Sequence, residues 1–221
     1  MALSVTSKTV GIMIVDDHPV VRKGLSDMIA QESGFRVCGE AGDKDEAMDR
    51  LHECKPDLII VDVTLGNSNG IELIKEIKPH RPRVPILVLS MHDEPFYAER
   101  CLKAGASGYV SKGEPPSRLM DAIRTVLSGD AYVSEGIARR LLSRIVAGPS
   151  GGSAVDVLTD RELQIFELIG QGIRIRTIAQ QLHVSSKTVE SHRENIKRKL
   201  QLGSAAELLQ QAIAWTQSRQ L

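Results

Sequence analysis

The chain has 221 residues, 42% of them hydrophobic and 25% charged, with no formal net charge, the profile of an ordinary soluble globular protein of one large or two modest domains. No apolar run approaches the roughly 20 residues that span a bilayer, and MALSVTSKTVGIMIVDD enters an apolar stretch without a basic-then-apolar leader, so a cytoplasmic protein with no membrane partner is expected. The zero net charge hides a polarity: residues 1–128 hold 16 Lys and Arg against 19 Asp and Glu, net −3, whereas 157–221 hold 9 against 6, net +3, so the two ends should meet different partners.

From Val10 to about Ser128, short apolar runs alternate with amphipathic segments. The predicted strands are VGIMIVD (10–16), FRVCGEA (35–41), DLIIVD (57–62), VPILVLS (84–90) and SGYVSK (107–112). Val21, Leu25, Met28 and Ile29 mark the first helix between them, and Leu119, Ala122, Ile123, Val126 and Leu127, behind Pro115-Pro116, mark the last. Five such β-α units predict an α/β domain with a doubly wound, five-stranded parallel sheet. Cys38, Cys54 and Cys101 are odd in number and form no CxxC pair, so they are expected to be free thiols rather than a disulfide framework or a zinc site.

Residues 129–147 are expected to continue as a weakly amphipathic helix with Ile137, Leu141, Leu142, Ile145 and Val146 on one side. AGPSGGSAVD (147–156) has the composition of a flexible tether and places a domain boundary near 150. Beyond it the chain is all helical. LTDRE carries a capping box, Thr159 with Glu162, and further helices are expected at 174–182, 185–200 and 204–217.

In a doubly wound sheet, chemistry gathers at the carboxyl ends of the strands, beside the switch in strand order. Those ends carry Asp16 and Asp17, then Asp62, Ser90 and Lys112. Taken singly, the acids are common turn residues and the lysine a solvated charge. Together, three adjacent carboxylates repel unless a cation sits among them, and a hard divalent ion with oxygen ligands, Mg²⁺, suits them. A lysine at the next strand end would hold phosphoryl oxygens as a point charge, so the set reads as a phosphoryl acceptor site with Asp62 as nucleophile.

VDDHPVVRKGL (15–25), IIVDVTLGNSNGIEL (59–73), LVLSMHDE (87–94) and KAGASGYVSK (103–112) resemble the receiver domain of two-component response regulators, with its flavodoxin-like fold. The resemblance implies that Asp16, Asp17, Asp62 and the backbone carbonyl of Thr64 hold Mg²⁺. It also implies that a sensor histidine kinase donates the phosphoryl group, and that Ser90 and Tyr109 form a switch. Gly66 departs from the family pattern, which usually has a proline there, and glycine loosens that backbone.

Arg174 to Leu200 hold seven Lys or Arg against two Glu, which fits a helix-turn-helix whose second helix enters a DNA major groove. Stepping 100° per residue puts Val189, Ile196 and Leu200 on one side and Lys187, Ser191, Glu194 and Arg198 on the other. LTDRELQIFELIGQG and IRTIAQQLHVSSKTVESHRENIKRKL resemble the LuxR-type domain of the NarL/FixJ subfamily. That likeness implies base contacts from Glu190, Ser191 and Glu194. Lys187, Thr188, Arg193, Lys197 and Arg198 are candidates for phosphate contacts.

The resulting expectation is a receiver at 8–128, a connecting segment at 129–156 and a small all-α DNA-binding domain at 157–221, working as a phosphorylation-switched transcription factor that forms a homodimer on double-stranded DNA. Two alternatives stand beside it. One is a regulator whose receiver acts without phosphorylation. The other is an aspartyl-phosphate phosphatase, which needs a second acid where this chain has Thr64.

Overall fold

The computed structural model describes residues 9–66, 68–91, 95–147 and 154–217. The chain divides into two compact units: an α/β unit of residues up to 65 together with 70–141, and a mainly helical unit of residues from 142 onward, to which the short segment 66–69 is assigned.

In the first unit the chain runs β1 (Val10–Val15), α1 (Pro19–Ala30), β2 (Phe35–Ala41), α2 (Lys44–Cys54) and β3 (Leu58–Asp62). The short strands β4 (Thr64–Leu65) and β5 (Ser68–Asn69) pair with each other, and α3 (Gly70–His80), β6 (Ile86–Ser90), α4 (Pro95–Ala104), β7 (Gly108–Ser111), α5 (Pro116–Leu127) and α6 (Glu135–Ala147) follow. The main sheet has the order β2-β1-β3-β6-β7, parallel throughout. The direction of strand addition reverses between β1 and β3.

The continuous apolar runs of β1, β3 and β6 suit strands covered on both faces. Alternate residues Ile12, Ile14, Leu58, Ile60, Leu87 and Leu89 pack with Leu25 and Ile29 of α1 and with Leu119, Ala122, Ile123 and Val126 of α5. The helical spacing read from those two segments therefore marks the side that meets the sheet, and it stabilises the fold at about 25 cal/mol per Å² of apolar surface removed from water.

The predicted helix over 129–147 starts later. Gly129 takes φ +98 and ends the preceding helix, and the chain then runs beside β7: Tyr109 N–H donates to the Tyr132 carbonyl at 2.8 Å and Tyr132 N–H to Ser107 O at 3.1 Å. This strip covers the edge of β7 that would otherwise present open hydrogen-bonding groups. The helix α6 begins after Ser134, whose hydroxyl accepts from Ile137 N–H at 3.4 Å. Of its expected apolar side, Ile137 is buried but Leu142 and Val146 are exposed. Most of the expected tether, 148–153, lies outside the described residues.

The helical unit contains a 3-10 turn (Ala154–Val157), then α7 (Asp160–Gly170), α8 (Ile175–Gln181), α9 (Ser186–Lys199) and α10 (Ala205–Gln217). The capping box is formed: Glu162 N–H donates to Thr159 Oγ1 at 3.3 Å and Thr159 N–H to Glu162 Oε2 at 2.8 Å. Helix α7 packs against α9 and α10, with the Phe166 and Trp215 rings 5.6 Å apart. Gly170 permits the close approach, since a Cβ there would collide with the Ala212 carbonyl and Thr216 Oγ1.

Candidate functional site

Asp16 follows β1 and Asp62 closes β3, the two strands at the switch in strand order, so the topology sets these carboxylates side by side. Lys112, just past β7, reaches back across β6, and its Nζ donates to Asp16 Oδ2 and to Asp62 Oδ2, each at 2.6 Å. All three side chains are almost enclosed, with exposures of 2%, 4% and 9% for Asp16, Asp62 and Lys112. The other Asp16 oxygen accepts the His18 N–H at 2.8 Å, and the Arg22 guanidinium donates to the Asp16 carbonyl, pinning the turn. Thr64 N–H donates to Asp62 Oδ1 at 3.3 Å.

Asp17 is less enclosed, and its Oδ1 lies 2.7 Å from His18 Nδ1. One ligand atom from each of Asp16, Asp17, His18 and Asp62 lies within 4.8 Å of the others. Sequence reading missed His18 and Arg22. Their signal was adjacency to the acidic pair in VDDHPVVRKGL, but neither residue has a spacing of its own that marks it.

Burial pushes the Asp62 carboxyl up from 3.8 to about 6, a rise that Lys112 opposes and Asp16 reinforces. Burial disfavours the Lys112 ammonium, yet the Asp62 and Asp16 carboxylates outweigh it and raise its pKa above the ordinary 10.5. Three carboxylates around one ammonium leave surplus negative charge and unshared oxygen lone pairs. Such a donor set fits a hard, oxygen-preferring dication.

The loop after β3 depends on two glycines. A Cβ at Gly70 would collide with the Asp62 carbonyl oxygen, while Gly70 N–H donates to Val63 O at 2.8 Å. Gly66 takes φ +46, a conformation proline cannot adopt, so the departure noted in the sequence has a backbone reason. Ser90 ends β6, fully buried, and its carbonyl accepts from Lys112 N–H at 2.7 Å. Tyr109, also fully buried, pairs with Val88 on the neighbouring strand, so alternation puts it on the same face of the sheet as Ser90.

In the helical unit, α8 and α9 are joined by a turn in which His183 has φ +50 and Val184 N–H returns to Ala179 O at 2.9 Å. Ser185 caps α9 by accepting from Thr188 N–H at 3.0 Å. Val189 and Ile196 are buried and Leu200 half-buried, whereas Lys187, Ser191, Glu194 and Arg198 are exposed, the phase expected from the sequence, and Glu190 is exposed as well. Thr188, Arg193 and Lys197 are half-buried, and the two cations pair with Glu190 at 3.0 Å and Glu194 at 2.9 Å. The outward face thus offers both cations and carboxylate acceptors.

Residues 12–124 match the response regulator receiver domain, and residues 156–212 match the bacterial regulatory proteins of the luxR family. The chain belongs to the NarL/LuxR family of response regulators. This response regulator is 37% identical over 204 residues to the transcriptional activator protein ExaE of Pseudomonas putida, covering 92% of this chain and 95% of that one. Among solved structures it resembles RcsB of Salmonella enterica serovar Typhimurium bound to promoter P1flhDC in the presence of the phosphomimetic BeF3- (28% identity, TM-score 0.61, 93% of this chain and 98% of that one). It also resembles a structure of two RcsB dimers bound to two parallel DNAs (28% identity, TM-score 0.58, 92% and 97%). The response regulator is accordingly a two-component transcriptional regulator with a receiver and a LuxR-type helix-turn-helix. Among its described residues, no helix is long and apolar enough to cross a membrane.

Proposed function

We propose that Asp62 accepts a phosphoryl group from the phosphohistidine of a sensor histidine kinase and that its phosphorylation switches dimerisation and DNA binding by the helical unit. The observation that carries this reading is the meeting of Asp16, Asp62 and Lys112 at three strand ends, enclosed, with Asp17 beside them. The receiver occupies 8–128, residues 129–156 connect, and 157–221 bind double-stranded DNA.

Asp16, Asp17, Asp62 and the Thr64 carbonyl would hold Mg²⁺, which when bound neutralises charge on the incoming phosphoryl oxygens. An Asp62 carboxylate oxygen forms the new O–P bond as the N–P bond of the phosphohistidine breaks. The product carries roughly −1.5 to −2 charge and three acceptor oxygens, which favour the state in which Lys112 and the Ser90 hydroxyl reach them, with Tyr109 completing the rearrangement. On α9, Lys187, Thr188, Arg193, Lys197 and Arg198 contact phosphates while Glu190, Ser191 and Glu194 face base edges. A carboxylate accepts from cytosine N4, so the two glutamates set a preference for cytosine.

The test is acetyl phosphate or beryllofluoride with Mg²⁺ on the full chain. Tighter DNA binding and dimer formation in the wild type, absent in Asp62→Asn, are expected. Unchanged DNA affinity in the treated wild type, or Asp62→Asn behaving like wild type, rejects the switch and leaves a regulator that works without phosphorylation.

A further inference from the structure

The Sγ atoms of Cys38 and Cys54 lie 3.2 Å apart, far from the acidic pair in sequence and belonging to different elements, the edge strand β2 and the end of α2. Local geometry converges on this meeting. The β1–β2 register steps from Ile12↔Val37 to Met13↔Gly39, so Cys38 is the extra residue of a bulge, a device that re-aims one side chain. Lys55, at φ +45, ends α2 directly after Cys54. Glycines flank both sulfurs: a Cβ at Gly39 would come 3.1 Å from Cys54 Sγ, and one at Gly11 3.4 Å from Cys38 Sγ. Both thiols are half-buried and so open to small reagents, whereas Cys101 is fully buried.

We propose that Cys38 and Cys54 are a modification site, forming a reversible internal disulfide by exchange with a low-molecular-weight disulfide of the glutathione type. The sulfurs need to close by about 1 Å to reach the ~2.05 Å of a disulfide bond. The Cys38 S–H donates to Cys54 Sγ, which leaves Cys54 as the sulfur that attacks first, and burial pushes the Cys38 thiol up to about 12. The Cys54 thiol gives its proton to solvent, and its thiolate attacks one sulfur of the small disulfide. That S–S bond breaks, and the departing thiolate takes up a proton. Cys38 then loses its proton and attacks Cys54 Sγ, forming the internal bond and expelling the second small thiol. The protein sulfurs lose two electrons, and the small disulfide gains them as it becomes two thiols. The new bond ties the end of α2 to the sheet edge.

The experiment incubates the full chain with oxidised glutathione and follows intact mass and alkylatable thiols over time. The expected wild-type product has lost two hydrogens, carries no glutathione, retains Cys101 as its alkylatable thiol after unfolding, and reverts with dithiothreitol. Cys38→Ser should instead trap one glutathione on Cys54, and neither Cys38→Ser nor Cys54→Ser should yield the product that has lost two hydrogens. A wild type that accumulates mixed disulfides without the internal bond, that crosslinks through Cys101, or that remains fully reduced while Cys38→Ser is glutathionylated, overturns the proposal. So does failure of every variant to react.

Discussion

Lys112 Nζ lies 2.6 Å from Asp62 Oδ2, and the same ammonium contacts Asp16 at an equal distance. A buried carboxylate pair is costly without a counterion, and removing one partner of a buried ion pair leaves an uncompensated charge. Lys112→Gln should therefore lower the stability of the metal-free α/β unit by about 3 kcal/mol, with part of the loss restored by millimolar MgCl₂. Urea denaturation with and without Mg²⁺ measures both. Equal stability of variant and wild type in chelator would show that Lys112 is not the counterion.

Gly70 has no room for a side chain, because the Asp62 carbonyl occupies the position its Cβ would take. Overpacking of this kind costs about 1–3 kcal/mol through backbone shifts. Gly70→Ala is expected to reduce stability by that amount and to displace Asp62, lowering phosphorylation stoichiometry with acetyl phosphate as read by intact mass. The same substitution at the exposed Gly24, with nothing within 4 Å of its would-be Cβ, serves as the control.

Glu162 closes the capping box of α7 and also accepts from Lys199 Nζ at 2.6 Å. Burial pushes its carboxyl up, but hydrogen bonds from Lys199 and Thr159 outweigh this and hold it below the ordinary 4.5. A depressed folded pKa stabilises the protein above the unfolded value, and that contribution is lost as pH falls below about 4.5 and through the folded value. Glu162→Gln should be less stable than wild type at pH 7, with the gap narrowing on acidification below 4.5. Thermal melts across that range decide it, and a pH-independent gap would contradict the linkage.

Lys187 and Arg198 project from α9 to solvent. If they meet phosphates, Lys187→Ala and Arg198→Ala should weaken binding about equally across DNA sequences, each reducing the slope of log K against log salt by roughly 1. Glu190→Ala should change which bases are preferred and leave that slope nearly unchanged. Anisotropy titrations at several salt concentrations, with a randomised-site selection, separate the outcomes. A salt slope unaltered in both cationic variants would remove those residues from the interface.

The five parallel strands, the flanking helices and the all-helical end were legible in the chain because each rests on local periodicity. Runs such as IIVD demand burial on both faces, the Leu25–Ile29 and Leu119–Val126 spacings each demand one apolar helical side, and LTDRE states its own cap. The acidic residues and Lys112 could likewise be placed at strand ends, since the βαβ rule fixes which end of each strand faces the next loop.

What the sequence by itself determined, then, was which segments are strands and helices and which charges lie at their ends. The tertiary structure alone decided the pairings: Lys112 bridging Asp16 and Asp62, Tyr132 covering the edge of β7, and Cys38 turned by a bulge toward Cys54. The physical reason is range. Hydrophobic periodicity and capping act within a few residues, whereas each of these contacts depends on the register and packing of elements that meet only after the chain has folded.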